Sequence, residues 1–215
     1  MKLVGYCAGN FKYAVKRERD GKLLPLAEWI GHSISRACGI ATPDFLIVEC
    51  MDGELAFGSL WEPASIQIKV WDSQAQQLVK NHADTISEIL GLDYFLPNPD
   101  RHMGNFIFAP RAGIETCLSF DFSLANVRDG LPFGAPPLKR GCNTMGSQKT
   151  LNLQIKRFNK HKFNSPLNIL KTFPSHDIAK ILDKAPAEWY AGISKSEILQ
   201  WWDSAKNSRI AQVAL

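Results

Sequence analysis

The hydrophobic pattern of this chain changes period near Ser73, and that change narrows the available folds more than any other feature. Before Ser73 short runs alternate as strands do, around one helical stretch; after it apolar residues recur mostly every three to four positions. "FKYAVK" puts Phe11, Tyr13 and Val15 on one face and leads into a turn at "RDGK". "LPLAEWIGHSISRACGI" repeats apolar groups at Leu26, Trp29, Ile30, Ile34 and Ala37 and stops at Gly39, a helix with its terminator. "DFLIVEC" reads as a strand, and a further extended piece follows in "MDGELAF". Beyond Ser73, "SQAQQLVKNHADTISEILGLDYFL" reads as one long helix. "PLNILKTF", "SHDIAKILDKA" and "SKSEILQWWDSAKNSRIAQVAL" are further helices, with Ser175 and Ser194 as N-caps. The pattern predicts an α+β fold in two lobes: a small β-rich lobe over residues 1–72 and a mainly helical lobe over 73–215.

The helical half is interrupted by "LPNPDRHMGNFIF", Leu96 to Phe108, which crowds Asp, Arg, His, Gly and Asn into one short loop. A simple turn needs one or two such residues, so the crowding marks a site. After it, "NFIFAP" and "IETCLSFDF" flank "RAG" as a β-hairpin. A turn centred on Arg111 to Ile114 puts Asn105 opposite Ser119 or Phe120, and therefore beside Asp121. A carboxamide and a carboxylate so placed form an oxygen-only pair suited to Mg²⁺ on a phosphorylated substrate.

Composition excludes several classes. No run of about 18 apolar residues exists, so a spanning helix is not expected, and the first 16 residues have no signal-peptide core of about 7 to 15 apolar residues. A cytoplasmic protein is the expectation. The five cysteines are scattered, without a C-x-x-C or zinc spacing, and read as reduced thiols. Charge is uneven: residues 1–110 carry 10 Lys and Arg against 13 Asp and Glu, a net −3, while residues 111–215 carry 15 against 8, a net +7. The stretch from Lys139 to Lys171 holds eight basic residues and no acidic one, a surface for phosphates, an acidic partner or a nucleic acid.

Phosphoryl transfer requires a lysine on the phosphates, a carboxylate near the attacking hydroxyl, and an Asn and an Asp on the metal, in a fixed chain order. Lys16 in "YAVK", Asp100 and Asn105 in "DRHMGN", and Asp121 in "SFDFS" supply them in that order. The D-x-x-x-x-N spacing equals that of the protein-kinase catalytic loop, and "YAVK" stands where a V-A-I-K strand lysine would.

These segments, with "LAEWIGHSISRACGIATPDFLIVE" and "LDYFLPNPDRHMGNFIF", resemble the HipA-like kinases, relatives of the protein-kinase and phosphoinositide-kinase folds. The resemblance covers roughly residues 10 to 126 and implies a protein-kinase-like fold, an ATP- and Mg²⁺-dependent reaction, a protein Ser or Thr as acceptor and a toxin–antitoxin setting. It implies that Lys16 pairs with the α- and β-phosphates of ATP and that Glu28 is its ion partner. Asp100 would take or orient the proton of the acceptor hydroxyl, with Arg101 and His102 bracing the loop, and Asn105 and Asp121 would hold Mg²⁺. Gly5 and Gly9 in "VGYCAGNF" would let the backbone approach the phosphates, although the segment leaves little room for a first strand and contains no Ser or Thr for a phosphorylation switch. "FGSLWEP" is the candidate hinge to adenine, and Ser123 stands where a kinase would carry Gly after Asp-Phe. Three other readings compete. The acceptor is a small molecule or lipid head group; the chain binds nucleotide or a partner without turnover; or the basic region binds nucleic acid, with Phe158, Phe163 and Phe173 as stacking groups.

Overall fold

The computed structural model describes residues 3–6, 11–125, 127, 133 and 138–215. Strands β1 (Leu3–Tyr6), β2 (Lys12–Lys16), β3 (Phe45–Glu49) and β4 (Leu55–Leu60) form an antiparallel sheet in the order β1-β2-β4-β3. Helix α1 (Leu24–Ala37) packs against β4. Its start is set by Leu23 in the left-handed region, whose N–H is held by the Glu18 carboxylate at 2.8 Å, and by Pro25 in the first turn. It ends before Gly39, whose φ of +76° suits glycine. The 3.6-residue period buries Leu26, Ile30 and Ile34 in the core.

A second sheet, β5 (Ile66–Gln67), β6 (Phe106–Arg111) and β7 (Ile114–Ser119), has the order β5-β6-β7. The helices after it and around it are α2 (Ser73–Asn81), α3 (Ala83–Phe95), α4 (Asn143–Lys149), α5 (Lys160–Thr172), α6 (Ser175–Asp183) and α7 (Lys195–Val213). The fold is thus α+β, with an N-terminal β-sheet and a mainly helical C-terminal half. Helices α3 and α5 approach closely at Gly91, where a Cβ would lie 1.9 Å from the Phe163 carbonyl oxygen.

Several local expectations change. The long helix after Ser73 breaks at His82, which turns its ring onto Phe108 and its Nε2 to Glu115 at 2.9 Å, so contacts with the hairpin override helix continuity. Ser194 caps α7 through a capping box with Glu197, whereas Ser175 is already helical and Pro174 holds the cap position of α6. A first strand does exist: β1 takes up the front of "VGYCAGNF" and pairs Gly5 with Tyr13. The aromatic groups of the basic region serve the core. Phe163 is fully buried against Tyr94 and Phe158, and Phe173 packs on Trp202. A nucleic-acid stacking platform there is therefore not formed. Among the described residues no helix is long and apolar enough to cross a membrane.

Candidate active site

The polar loop is held from beneath by one fully buried cation. Arg101 donates from Nε and Nη2 to the two carboxylate oxygens of Asp93 on α3, at 2.7 and 3.0 Å. Its Nη1 donates to the Asn105 carbonyl at 2.9 Å and to the Phe120 carbonyl. One guanidinium thus ties α3, the loop and the end of β7 together, and its fork geometry suits the bidentate pair. Burial works against its charge, but Asp93 more than compensates and its pKa lies above the ordinary value. Asn98 donates to Asp93 Oδ1 at 2.9 Å and completes the carboxylate's partners.

Helix α4 closes the loop from the other side. Thr144 Oγ1 accepts from the Arg101 N–H at 3.0 Å and donates to the Asn98 carbonyl, while Ser147 Oγ donates to the Arg101 carbonyl at 2.7 Å. Asn143 Nδ2 donates to Asp100 Oδ1 at 2.6 Å. The carboxylate is held in one orientation by a residue 43 positions away. His102 is exposed and accepts the Gly104 N–H on Nδ1 at 3.1 Å, which shapes the turn into Asn105.

The hairpin register pairs Phe106 with Ser119, so Asn105 enters β6 at the same end where Asp121 leaves β7. Asn105 Nδ2 donates to the Asp100 carbonyl at 2.8 Å, which assigns its oxygen to the opposite side of the amide. Asp121 adopts φ +64°, a left-handed conformation that a non-glycine residue holds only where its surroundings require it. Phe122 behind it is fully buried, 5.2 Å from the His32 ring and 5.0 Å from the Arg101 guanidinium. It lies against Gly31 so closely that a Cβ there would be 2.3 Å from Phe122 Cγ.

Lys16 reaches across from β2 to this end of the hairpin. Its ammonium contacts Glu28 on α1 and Asp121 Oδ1 at 2.7 Å, with Ser123 Oγ at 3.4 Å. Ser123 also donates to Asp121 Oδ1. Burial opposes the Lys16 charge, yet the two carboxylates outweigh it and its pKa is raised. Burial raises the pKa of Glu28, an effect that the Lys16 ammonium offsets in part. Beside this cluster, Ala14, Leu60, Trp61, Glu62, Ile107 and Phe120 line a narrow slot between the two sheets. Glu62 is tied to Arg111 of the hairpin, so the segment after β4 bridges the sheets.

Of the residues singled out from sequence, Lys16, Glu28 and Asp121 meet directly, and Asp100, Arg101, His102 and Asn105 share one loop. Gly5 sits within β1 opposite Tyr13, its Cβ position 2.9 Å from Val15 Cγ2, and Gly9 lies outside the described residues. Asn143, Thr144 and Ser147 were not anticipated. Nothing in "NTMGSQK" marks α4 by apolar spacing, and no local signal connects it to the loop. Asn105 and Asp121 present an oxygen-only donor set, which fits a hard divalent ion. No cluster of three His, Cys, Asp or Glu exists among the described residues, so such an ion would draw its other ligands from phosphate oxygens and water.

No protein-family model matches the sequence, and no curated protein matches it. Solved structures do match the fold. The toxin–antitoxin complex of HipA and HipB with operator DNA from Shewanella oneidensis MR-1 contains a chain with a TM-score of 0.53 at 11% identity, covering 98% of this chain and 63% of that one. The present chain thus spans less than two thirds of that protein's length. The Helicobacter pylori proinflammatory kinase CtkA gives a TM-score of 0.61 at 12% identity, covering 99% of this chain and 88% of that chain.

Proposed function

Starting from a kinase-like fold similar over nearly the whole chain to HipA and CtkA, we propose that the protein is an ATP- and Mg²⁺-dependent phosphotransferase acting on a protein Ser or Thr hydroxyl. The observation that carries this reading is Lys16, a cation from one sheet held between Glu28 of α1 and Asp121 at the end of the other sheet. One ammonium between two carboxylates leaves the cluster with an excess negative charge, which a divalent cation on Asp121 would offset. With such a cation bound, the Lys16 ammonium and the metal would together face a polyanion.

In this reading the slot along Ala14, Leu60 and Trp61 takes adenine, and Lys16 contacts the α- and β-phosphates while Glu28 fixes its ammonium. Asn105 and Asp121 would hold Mg²⁺, which would supply charge neutralisation on the transferring phosphates. Asp100, oriented by Asn143, accepts the proton of the acceptor hydroxyl. A bond forms between the acceptor oxygen and the γ-phosphorus, the bond from that phosphorus to the β-bridging oxygen breaks, and ADP leaves. Arg101, next to the proton acceptor in the chain, ties Asp93, the Asn105 backbone and the Phe120 backbone into one rigid unit, which is how positioning would lower the barrier.

The test pairs γ-labelled ATP with thermal stabilisation by ATP and Mg²⁺. The native protein should be stabilised by the nucleotide and should transfer label to protein, either itself or an added acceptor. An Asp100→Ala protein should keep the stabilisation and lose about 10²-fold or more of the transfer. Transfer at the native rate in that variant, or label found only on small molecules, contradicts the proposal.

A further inference from the structure

We propose that the groove beside the polar loop is the acceptor site and that its occupant is an extended peptide with acidic residues flanking the target Ser or Thr. This rests on the phosphotransferase reading and adds its substrate class. The segment between β5 and α2 runs directly past the loop: the Ile68 carbonyl oxygen lies 3.1 Å from the Cβ position of Gly104. Trp71 Nε1 donates to Gln154 Oε1 at 3.1 Å and ties this segment to the far wall. Between them is a groove of about 340 Å³ lined by Lys69, Val70, His102, Met103, Thr150 and Gln154. His102 in its lining stands two residues from Asp100 along the chain, and an acceptor hydroxyl at that end of the groove would give its proton to that carboxylate as the oxygen bonds to the γ-phosphorus and ADP departs.

Three features select the occupant. First, β5 is an edge strand with no partner on its outer side among the described residues, and along that segment Ile66 is 52% and Val70 69% exposed. A free edge next to exposed apolar side chains takes an extended chain through main-chain hydrogen bonds and alternate side chains. Second, the far wall is a π-helical turn, Thr150–Gln154, a rare geometry that concentrates at functional sites. Third, no carboxylate lines the groove among the described residues, whereas Lys69 is exposed within it and exposed Lys149, Lys156 and Arg157 flank the π-turn. Asp72, next to Trp71, and Asp100 each have one oxygen taken by a hydrogen bond, from the Ala75 N–H and from Asn143, and the four cations outnumber them, which favours an acidic partner and disfavours a basic one.

The experiment measures fluorescence anisotropy of short labelled peptides on the full chain, with Ala at the acceptor position so that binding is read without turnover. One peptide carries Asp and Glu around that position, the other Lys. The acidic peptide should bind about tenfold or more tightly than the basic one, and Lys69→Glu should lower acidic-peptide affinity by about tenfold while raising that of the basic peptide. A merely structural role for Lys69 would not reverse the preference. Equal binding of the two peptides, indifference to Lys69→Glu, or displacement of the acidic peptide by a single-stranded oligonucleotide overturns the groove assignment. Stabilisation by ATP and Mg²⁺ is measured on the same sample. If it is present while the peptides are not discriminated, the groove assignment alone falls; if it is absent, the phosphotransferase reading falls and the acceptor role with it.

Discussion

Asn143 donates its side-chain amide to Asp100 Oδ1 at 2.6 Å, joining the first residue of α4 to the loop that carries the proposed proton acceptor. The contact selects one rotamer of the carboxylate. Asn143→Ala should lower kcat about tenfold to hundredfold with little change in KM for ATP, since positioning and not nucleotide contact is lost. Steady-state kinetics at several ATP concentrations separates the two parameters.

The buried pair of Arg101 and Asp93 is a stability prediction independent of activity. Removing the carboxylate in Asp93→Ala leaves an uncompensated guanidinium with no access to water, which should cost about 3–5 kcal/mol in urea unfolding. Asp93→Asn keeps the shape and one acceptor oxygen and should cost less.

Gly31 is the residue that lets Phe122 dock on α1. Gly31→Ala forces a Cβ to within 2.3 Å of Phe122 Cγ, so the ring must move and carry the adjacent Asp121 with it. The expected result is about 1–3 kcal/mol of lost stability and a weaker response to ATP and Mg²⁺. Thermal unfolding with and without nucleotide reads both.

His32 supplies a pH dependence. Its Nδ1–H donates to the Glu28 carbonyl at 2.9 Å, Nε2 is buried without a partner, and burial lowers its pKa from 6.5 to about 3. The unfolded chain therefore binds a proton between these values that the folded chain refuses, so His32 makes stability fall as pH drops from about 6.5 toward 3. From pH 6.5 to 5 the native protein should lose about 2 kcal/mol relative to His32→Phe, whose ring suits the neighbouring Phe45, Phe57 and Phe122. Urea titrations of both proteins at the two pH values give the difference.

The amino-acid sequence alone determined the elements whose residues carry their own geometry. The period of α1 with Gly39 at its end, the hairpin turn that sets Asn105 near Asp121, and the order of Lys16, Asp100, Asn105 and Asp121 are all local signals, because backbone sterics and side-chain alternation act over a few residues. Tertiary structure alone decided the break at His82, the burial of Phe163 in the core, and the clamp of α4 on the loop. Whether Asn143 meets Asp100 depends on where two distant segments come to rest, and a short polar side chain at the start of a helix gives no local sign of the partner it finds. That information resides in how helices and sheets pack, where burial and hydrogen-bond satisfaction are set by the whole chain at once.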